Sequence, residues 1–455
     1  MSKQIYLLLV LILVAGLAAQ CGGPTTPATV APKATEAAKA TEAAKATEAA
    51  KATEAAKATE APKATEAAKA TEAAKATEAA KATEAPKAAA GPIKVGGTYN
   101  LTGAMASLDV PASNGSKLAI KEINAAGGVL GRQIDYVLYD GKTDSATNGN
   151  IATQLLNSDK VVAIVGNTDS DSALAIGPIA QKAGVPYLTA GATSPNLPNQ
   201  VGDSMFLAPF GDNVQAAAGA EFAYNKLNGK TCWLLWDKGA EYTTLLAKFF
   251  KARFTEMGGK VLLEDTYTQG DTDFSAQITR LKALSPQPDF LYAAALQASD
   301  AGAIAKQIRD AGITLPLVGG DGYDGPELVG VGGKGAENVY FTTHALMDAA
   351  LGNDRVKKFI AAYQKEYSKP PESAFAALGY DAVYLMADAI KRAGADDPKA
   401  IREALASTKG FQGVTGTVTY QPGQRIPQKS VTIVAIKDGK YTLAAEVVPE
   451  KVPAP

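Results

Sequence analysis

From Pro92 onward the chain alternates between short runs rich in β-branched residues and longer alanine-rich stretches, and this alternation narrows the available folds more than any other feature. The short runs, read as strands, cover residues 95–99, 134–139, 161–165, 187–189, 231–235, 261–267, 290–292 and 339–342. Between them residues 113–126, 146–157, 173–183, 214–227, 243–257, 274–284 and 300–311 carry helical patterns. Strand and helix in strict alternation build parallel sheets covered on both faces. About 360 residues are too many for one core of this kind, so two similar lobes are expected.

Residues 1–91 cannot add to that core. The hexapeptide Lys-Ala-Thr-Glu-Ala-Ala runs nine times from Lys33, varied only by Pro62 and Pro86, and offers no large apolar side chain to bury. A period of six matches neither a heptad seam nor a solenoid unit. Alanine favours helix and each Glu has a Lys three residues on, so the tract reads as a spacer, helical or coil, about 80 Å long if helical and about 40 Å as a coil. Before it, Lys3 and the apolar run from Ile5 to Ala19 read as an export signal, too short for a membrane span, which takes about 20 residues. The run ends at Ala18-Ala19-Gln20-Cys21 and resembles a bacterial lipoprotein signal, in which Cys21 becomes the lipid-bearing residue. Leu17 sits one place early and Gln20 replaces the usual small residue, and a secreted or signal-anchored chain is the alternative.

Charge and composition exclude several functions. The 45 basic and 46 acidic residues nearly cancel, and without residues 1–91 the balance is 34 to 37. No basic stripe interleaved with aromatics is present, so a nucleic-acid partner is not expected. One histidine, His344, cannot supply a metal site needing two imidazoles, and neither a metal nor another cofactor is expected. It follows the run at 339–342 and reads as a surface or hinge residue. Cys232 beside Trp233 reads as a small buried hydrophobe, and if Cys21 is acylated no disulfide remains. No segment reads GxxxxGK[ST], and the glycines at 127–131 and 330–333 fit turns better than a dinucleotide fingerprint.

In parallel sheets ligands bind outside the carboxyl ends of the strands. The loops there, 100–109, 166–172, 190–195, 238–243 and 319–324, are rich in Gly, Ser, Thr and Asp. Together with Leu101-Thr102-Gly103-Ala104, the Ile123-Asn124 to Gly131-Arg132 element, Tyr139-Asp140, Val165-Gly166, Ala190 to Pro195, Asp273-Phe274 and Lys306 to Gly312, they make residues 92–447 similar to the branched-chain amino-acid-binding proteins of ABC importers. The resemblance implies a periplasmic binding protein type I fold, an α/β protein of two Rossmann-like lobes with parallel sheets joined by three crossover segments. Residues 1–20 are then the signal peptide and 21–91 the spacer. Lobe 1 comprises 92–209 plus 345–412, lobe 2 comprises 210–344 plus 413–449, and 450–455 form a tail.

By the same resemblance Ser170 meets the ligand's α-carboxylate at a helix start, Gly191 and Thr193 meet its polar head, and Asp321 pairs with its α-ammonium. Tyr242 covers the ligand from the second lobe, and Phe375 is a weaker candidate for the side-chain pocket. Each has a plainer reading: Ser170 as a helix cap, Gly191 and Asp321 as turn residues, Tyr242 and Phe375 as packing. The sequence also departs from the pattern. Leu108 stands where an aromatic often sits, and Leu296 or Gln297 replaces a tyrosine. Thr143 and Asp169 occupy the positions of a cysteine pair found in some members, and Asp169 threatens a bound carboxylate with repulsion unless it is paired or turned away.

The function implied is an extracytoplasmic, lipid-anchored, monomeric receptor that captures a small polar solute by hinge closure and delivers it to ABC permease subunits, with no catalytic residues. Branched-chain or other neutral amino acids lead as solutes, followed by amides, urea-like compounds and small carboxylates. A sensory domain feeding a signalling partner and an amide hydrolase are the alternatives.

Overall fold

The computed structural model describes residues 91–455. The signal peptide, Cys21 and the repeat spacer lie outside the described residues.

The chain opens with β1 (Ile93–Tyr99), α1 (Ala106–Ala125), β2 (Ile134–Asp140), α2 (Ser145–Gln154), β3 (Ala163–Gly166), α3 (Ser170–Ala183), β4 (Tyr187–Thr189), α4 (Leu197–Val201) and β5 (Met205–Leu207). These strands pair in parallel in the order β2-β1-β3-β4-β5. The chain reverses direction across the sheet between β1 and β3, the switch point that opens a crevice at their carboxyl ends. The second lobe follows with α5 (Asp212–Asn225), β6 (Thr231–Asp237), α6 (Glu241–Glu256), β7 (Lys260–Tyr267), α7 (Ser275–Lys282), β8 (Phe290–Ala294), α8 (Ala298–Asp310), β9 (Leu317–Gly319), α9 (Glu327–Gly332) and β10 (Val339–Thr343). The chain then returns to the first lobe as α10 (Asp354–Tyr367), α11 (Ala374–Ala393), α12 (Pro398–Ala406) and the small hairpin β11 (Phe411–Gly413) and β12 (Gly416–Val418). It ends with β13 (Val431–Lys437) and β14 (Lys440–Val447), which add antiparallel to the second sheet and give the order β14-β13-β10-β9-β8-β6-β7.

The cores follow from this layering. Ile93, Val95, Val165, Leu188 and Phe206 of the first sheet are buried beneath its helices, and Leu235, Leu291, Leu317 and Phe341 fill the second. The helices α1 and α11 cross so closely that a Cβ at Gly379 would stand 1.9 Å from the Ala112 carbonyl oxygen, and one at Gly115 would stand 1.8 Å from that of Ala376. Glycine is required at both places because backbone meets backbone.

Of the boundaries that differ from the sequence reading, two bear on the cleft. Helix α1 was expected from residue 113, beyond Pro111, yet it starts at Ala106 and runs through the proline. Pro111 removes one helical hydrogen bond, and burial of Leu108 together with the bond from the Asn100 amide to Asp109 Oδ2 at 2.8 Å fixes the first turns regardless. The chain was also expected to enter the second lobe at residue 413. Asp381 Oδ1 and Oδ2 instead accept the Val414 and Thr415 amides at 2.7 and 2.8 Å, the Leu207 amide donates to the Arg425 carbonyl at 2.9 Å, and Tyr420 Oη donates to the Leu207 carbonyl at 2.8 Å. Residues 411–426 therefore pack on the first lobe, which favours a third crossing at 427–430. Lys429, buried there, donates to the Ala208 carbonyl of the first crossing and to Thr415 Oγ1, each at 3.0 Å. Burial pushes its ammonium down to about 8.

Candidate functional site

Between the lobes lies a small, tightly closed cavity lined by Met105, Leu108, Thr168, Asp169, Ser170, Gly191, Thr193, Tyr242, Leu296, Asp321, Gly322 and Phe375. Each of the eight binding residues expected from the sequence is among them. The lobes are closed over it: Ser194 Oγ donates to Glu241 Oε1 across the cleft at 2.8 Å, and Gln297 Nε2 donates to the Ala104 carbonyl.

The first-lobe wall is built by the turns after β3 and β4. Helix α3 begins at Ser170, but its cap is Asp169, whose Oδ1 accepts the Ser172 amide at 2.8 Å. The plainer reading of Ser170 as the cap is thus corrected: the cap needs extended backbone, and that conformation falls on Asp169. Ser170 occupies the first helical position, with its Oγ accepting the Ser194 amide at 3.2 Å. Its hydroxyl proton remains available to a second acceptor. Asp169 Oδ2 accepts from Asn100 Nδ2 at 2.9 Å, so both of its oxygens are engaged within the first lobe. Burial pushes the Asp169 carboxyl up to about 6. Behind it, burial and then Asp169 push Asp109 well above the usual carboxylate range. Gly191 leaves room for the Phe375 ring, which would be 3.0 Å from a Cβ there.

The second-lobe wall comes from the turns after β8 and β9 and from the start of α6. Tyr242 Oη accepts the Gly322 amide at 3.1 Å. Asp321 presents its carboxylate with Oδ1 accepting from Gln215 Nε2 at 3.0 Å and Oδ2 facing His344 Nε2 at 2.9 Å. Gln215 also donates to Asp212 Oδ1 at 3.0 Å, and burial followed by Asp321 holds the Asp212 carboxyl well above its ordinary range. No Lys or Arg pairs with Asp321 among the described residues.

Residues 92–440 match the family model described as periplasmic binding protein. The chain belongs to the periplasmic binding protein family. Among relatives of this periplasmic binding protein, Leu/Ile/Val-binding protein homolog 3 of Brucella melitensis biotype 1 is 30% identical over 75% of this chain and 90% of its own. The leucine-, isoleucine-, valine-, threonine- and alanine-binding protein of Pseudomonas aeruginosa is 29% identical over 70% and 83%. Among solved structures, the branched-chain amino acid transporter substrate binding protein LivJ of Streptococcus pneumoniae, in complex with isoleucine, superposes with a TM-score of 0.73 at 34% identity, covering 79% of this chain and all of that one. The leucine binding protein LivK of Thermotoga maritima gives 0.72 at 33%, covering 79% and 99%. These matches carry the two-lobed type I fold expected from the sequence.

Several site residues of this periplasmic binding protein lay beyond sequence reasoning. Met105 and Thr168 line the cavity but carry no distinguishing pattern. His344, expected at the surface or a hinge, does sit at the second crossing but is buried, because Phe210 stacks on its ring and Asp321 takes its Nε2. Gln215 was not singled out, although it holds both Asp212 and Asp321. No group of acidic, histidine or cysteine side chains among the described residues is arranged to hold a metal.

Proposed function

We propose that this protein is the extracytoplasmic receptor of an ABC importer and captures a small neutral amino acid with an aliphatic side chain by closing its two lobes on it. The observation that carries this reading is the division of the cavity: hydroxyls and a helix N-terminus on one wall, a carboxylate without a cationic partner on the other, and apolar side chains between. The start of α3 favours an anion through its free amides and dipole, and Ser170 and Thr193 add hydroxyls to receive an α-carboxylate. Asp321 answers the α-ammonium with a charge-assisted hydrogen bond. Met105, Leu108, Leu296 and Phe375 surround the side chain, while Tyr242 closes over the ligand. Asp169 does not oppose a carboxylate, since its oxygens serve the α3 cap and Asn100. The Leu/Ile/Val-binding relatives and the isoleucine-bound LivJ support the same class.

In this reading the receptor acts as a monomer, Cys21 carries the lipid, the repeat spacer holds the lobes away from the membrane, and the closed form docks on permease subunits. Residues 92–209 with 345–426 form lobe 1 and 210–344 with 431–449 form lobe 2. Titration calorimetry of the purified chain tests the ligand class. Leucine, isoleucine, valine and alanine are compared with leucinamide and 4-methylpentanoate, which lack the carboxylate and the ammonium respectively. The amino acids should bind and both truncated compounds should fail. Equal binding of leucinamide and leucine would remove the carboxylate from the proposal.

A further inference from the structure

The chain has a single histidine, and it is sealed where three parts of the molecule meet. His344 directly follows β10, where the chain leaves the second lobe. Its ring stacks on Phe210 of the first crossing, with centroids 4.0 Å apart and planes 24° from parallel. It stands edge-on to Phe375 of the cavity wall at 6.1 Å. Nε2 lies 2.9 Å from Asp321 Oδ2, whereas Nδ1 is buried and has no hydrogen-bond partner among the described residues.

We infer that His344 is a neutral positioning residue: as the Nε2–H tautomer it turns the Asp321 carboxylate toward the cavity without cancelling its charge, which is thereby kept for a ligand ammonium. This rests on the reading of Asp321 given above. The tautomer follows from the hydrogen-bond inventory. A carboxylate only accepts, so Nε2 must donate to it. Were the ring cationic, Nδ1–H would be a second donor, buried with nothing to receive it, which is the costly arrangement. A neutral ring leaves only an unused acceptor at Nδ1.

The surroundings point the same way. The charged groups around the ring are Asp321 on the turn after β9, Asp324, reached through Thr343 Oγ1, and Lys429 of the third crossing, whose positive charge disfavours another beside it. Burial, the largest influence, also pulls the imidazole below its ordinary range. The other group on Asp321 is the Gln215 amide, again a neutral donor. Burial, and after it Asp321, push the neighbouring Asp212 carboxyl well above its ordinary range. Asp321 is therefore oriented by two neutral donors and neutralised by neither, an arrangement that leaves a buried carboxylate in want of a cation.

With one imidazole in the chain, nitrogen NMR of untagged, histidine-labelled protein reads the tautomer directly. At pH 7 we expect a protonated Nε2 and a bare Nδ1, and an imidazolium or the Nδ1–H tautomer overturns the inference. Calorimetry with L-leucine as the probe supplies the second arm. His344→Leu should weaken binding about 10- to 100-fold, the range for a hydrogen bond to a charged group. His344→Gln, which keeps a neutral N–H donor, should recover most of that loss. His344→Leu combined with Asp321→Asn should bind no worse than Asp321→Asn alone, since both act through one carboxylate. Fully additive losses, or His344→Gln as weak as His344→Leu, overturn the positioning role while leaving the amino-acid reading intact. If the unmodified chain binds no zwitterionic amino acid, that reading falls and this inference falls with it.

Discussion

The two walls of the cavity treat their carboxylates in opposite ways. On the first lobe Asp169 is spent on the α3 cap and on Asn100, and Asp109 behind it is driven toward its neutral form by burial. What that wall offers a ligand is neutral: the Ser170 and Thr193 hydroxyls and the amides of a helix start. On the second lobe Asp321 is held by Gln215 and His344 and meets no Lys or Arg, while burial, and after it Asp321, push its neighbour Asp212 well above the usual carboxylate range. One wall thus engages its acid within its own lobe, and the other holds a carboxylate on two neutral donors with no Lys or Arg beside it. A zwitterion is complementary to the pair only when the lobes are closed, and closure requires contacts that the open form lacks.

Removing the charged wall should have the largest effect. Asp321→Asn keeps the size and some of the hydrogen bonds, and it should lower leucine affinity by about 3 kcal/mol, on the order of 100-fold. Calorimetry reads that loss, and thermal unfolding without ligand should change little or improve, because an uncompensated buried charge is removed. If affinity is unchanged, the difference between the walls does not select the ligand. Ser170→Ala probes the neutral wall. It removes one hydroxyl while the helix start and its amides remain, so the expected loss is about 1.5 kcal/mol, roughly tenfold. A loss as large as that of Asp321→Asn would mean that the two walls carry charge recognition more evenly.

Gly191→Ala tests the packing behind the neutral wall. The new methyl would meet the Phe375 ring at 3.0 Å and Thr168 Cβ at 3.1 Å. Such crowding can be relieved by a small shift of the ring, so a cost of about 1 kcal/mol is expected, with leucine losing more than alanine because Phe375 lines the side-chain end. Equal losses for both amino acids would place the strain elsewhere.

The walls were unequally legible in the sequence, for physical reasons. The strands at 187–189 and from 134, 231 and 290 begin where their apolar runs begin, and because ligand sites lie at strand ends, knowing the strands located the loops. The individual residues, seven in those loops and Phe375 on α11, came from the family resemblance, and all eight line the cavity. Nothing local marked β5 or β9, each three residues long, and α1 was expected only from residue 113, whereas it starts at Ala106 and runs through Pro111. The supports of Asp321 were invisible for a different reason. Gln215 is 106 positions away and reaches it only because α5 packs against the second sheet, and His344 is 23 positions away, just past the end of β10. A side chain that acts by holding another leaves no motif at its own position.

The smallest effect on binding is expected from Asp169, and its value lies in its pH dependence. Its carboxyl is raised by burial to about 6 in the folded protein, against about 3.9 in an unfolded chain. A raised folded value means that the folded state holds the proton more tightly. Its contribution to stability is then complete below about pH 4 and disappears as pH rises through about 6. Asp324, also raised to about 6 by burial, adds a decline in the same window. Thermal unfolding of the ligand-free chain should therefore weaken between about pH 4 and pH 6. In Asp169→Asn, where the amide oxygen can still cap α3 and nothing titrates, the decline should be shallower. Leucine affinity at pH 7 should stay within a few-fold of the unmodified chain, because the side chain is directed at the cap and at Asn100. An unchanged slope would mean that Asp169 is ionised throughout that range. In either case Asp169 is mostly ionised at pH 7, and the contrast between the walls rests on its oxygens being taken up within the first lobe while Asp321 is held only by neutral donors.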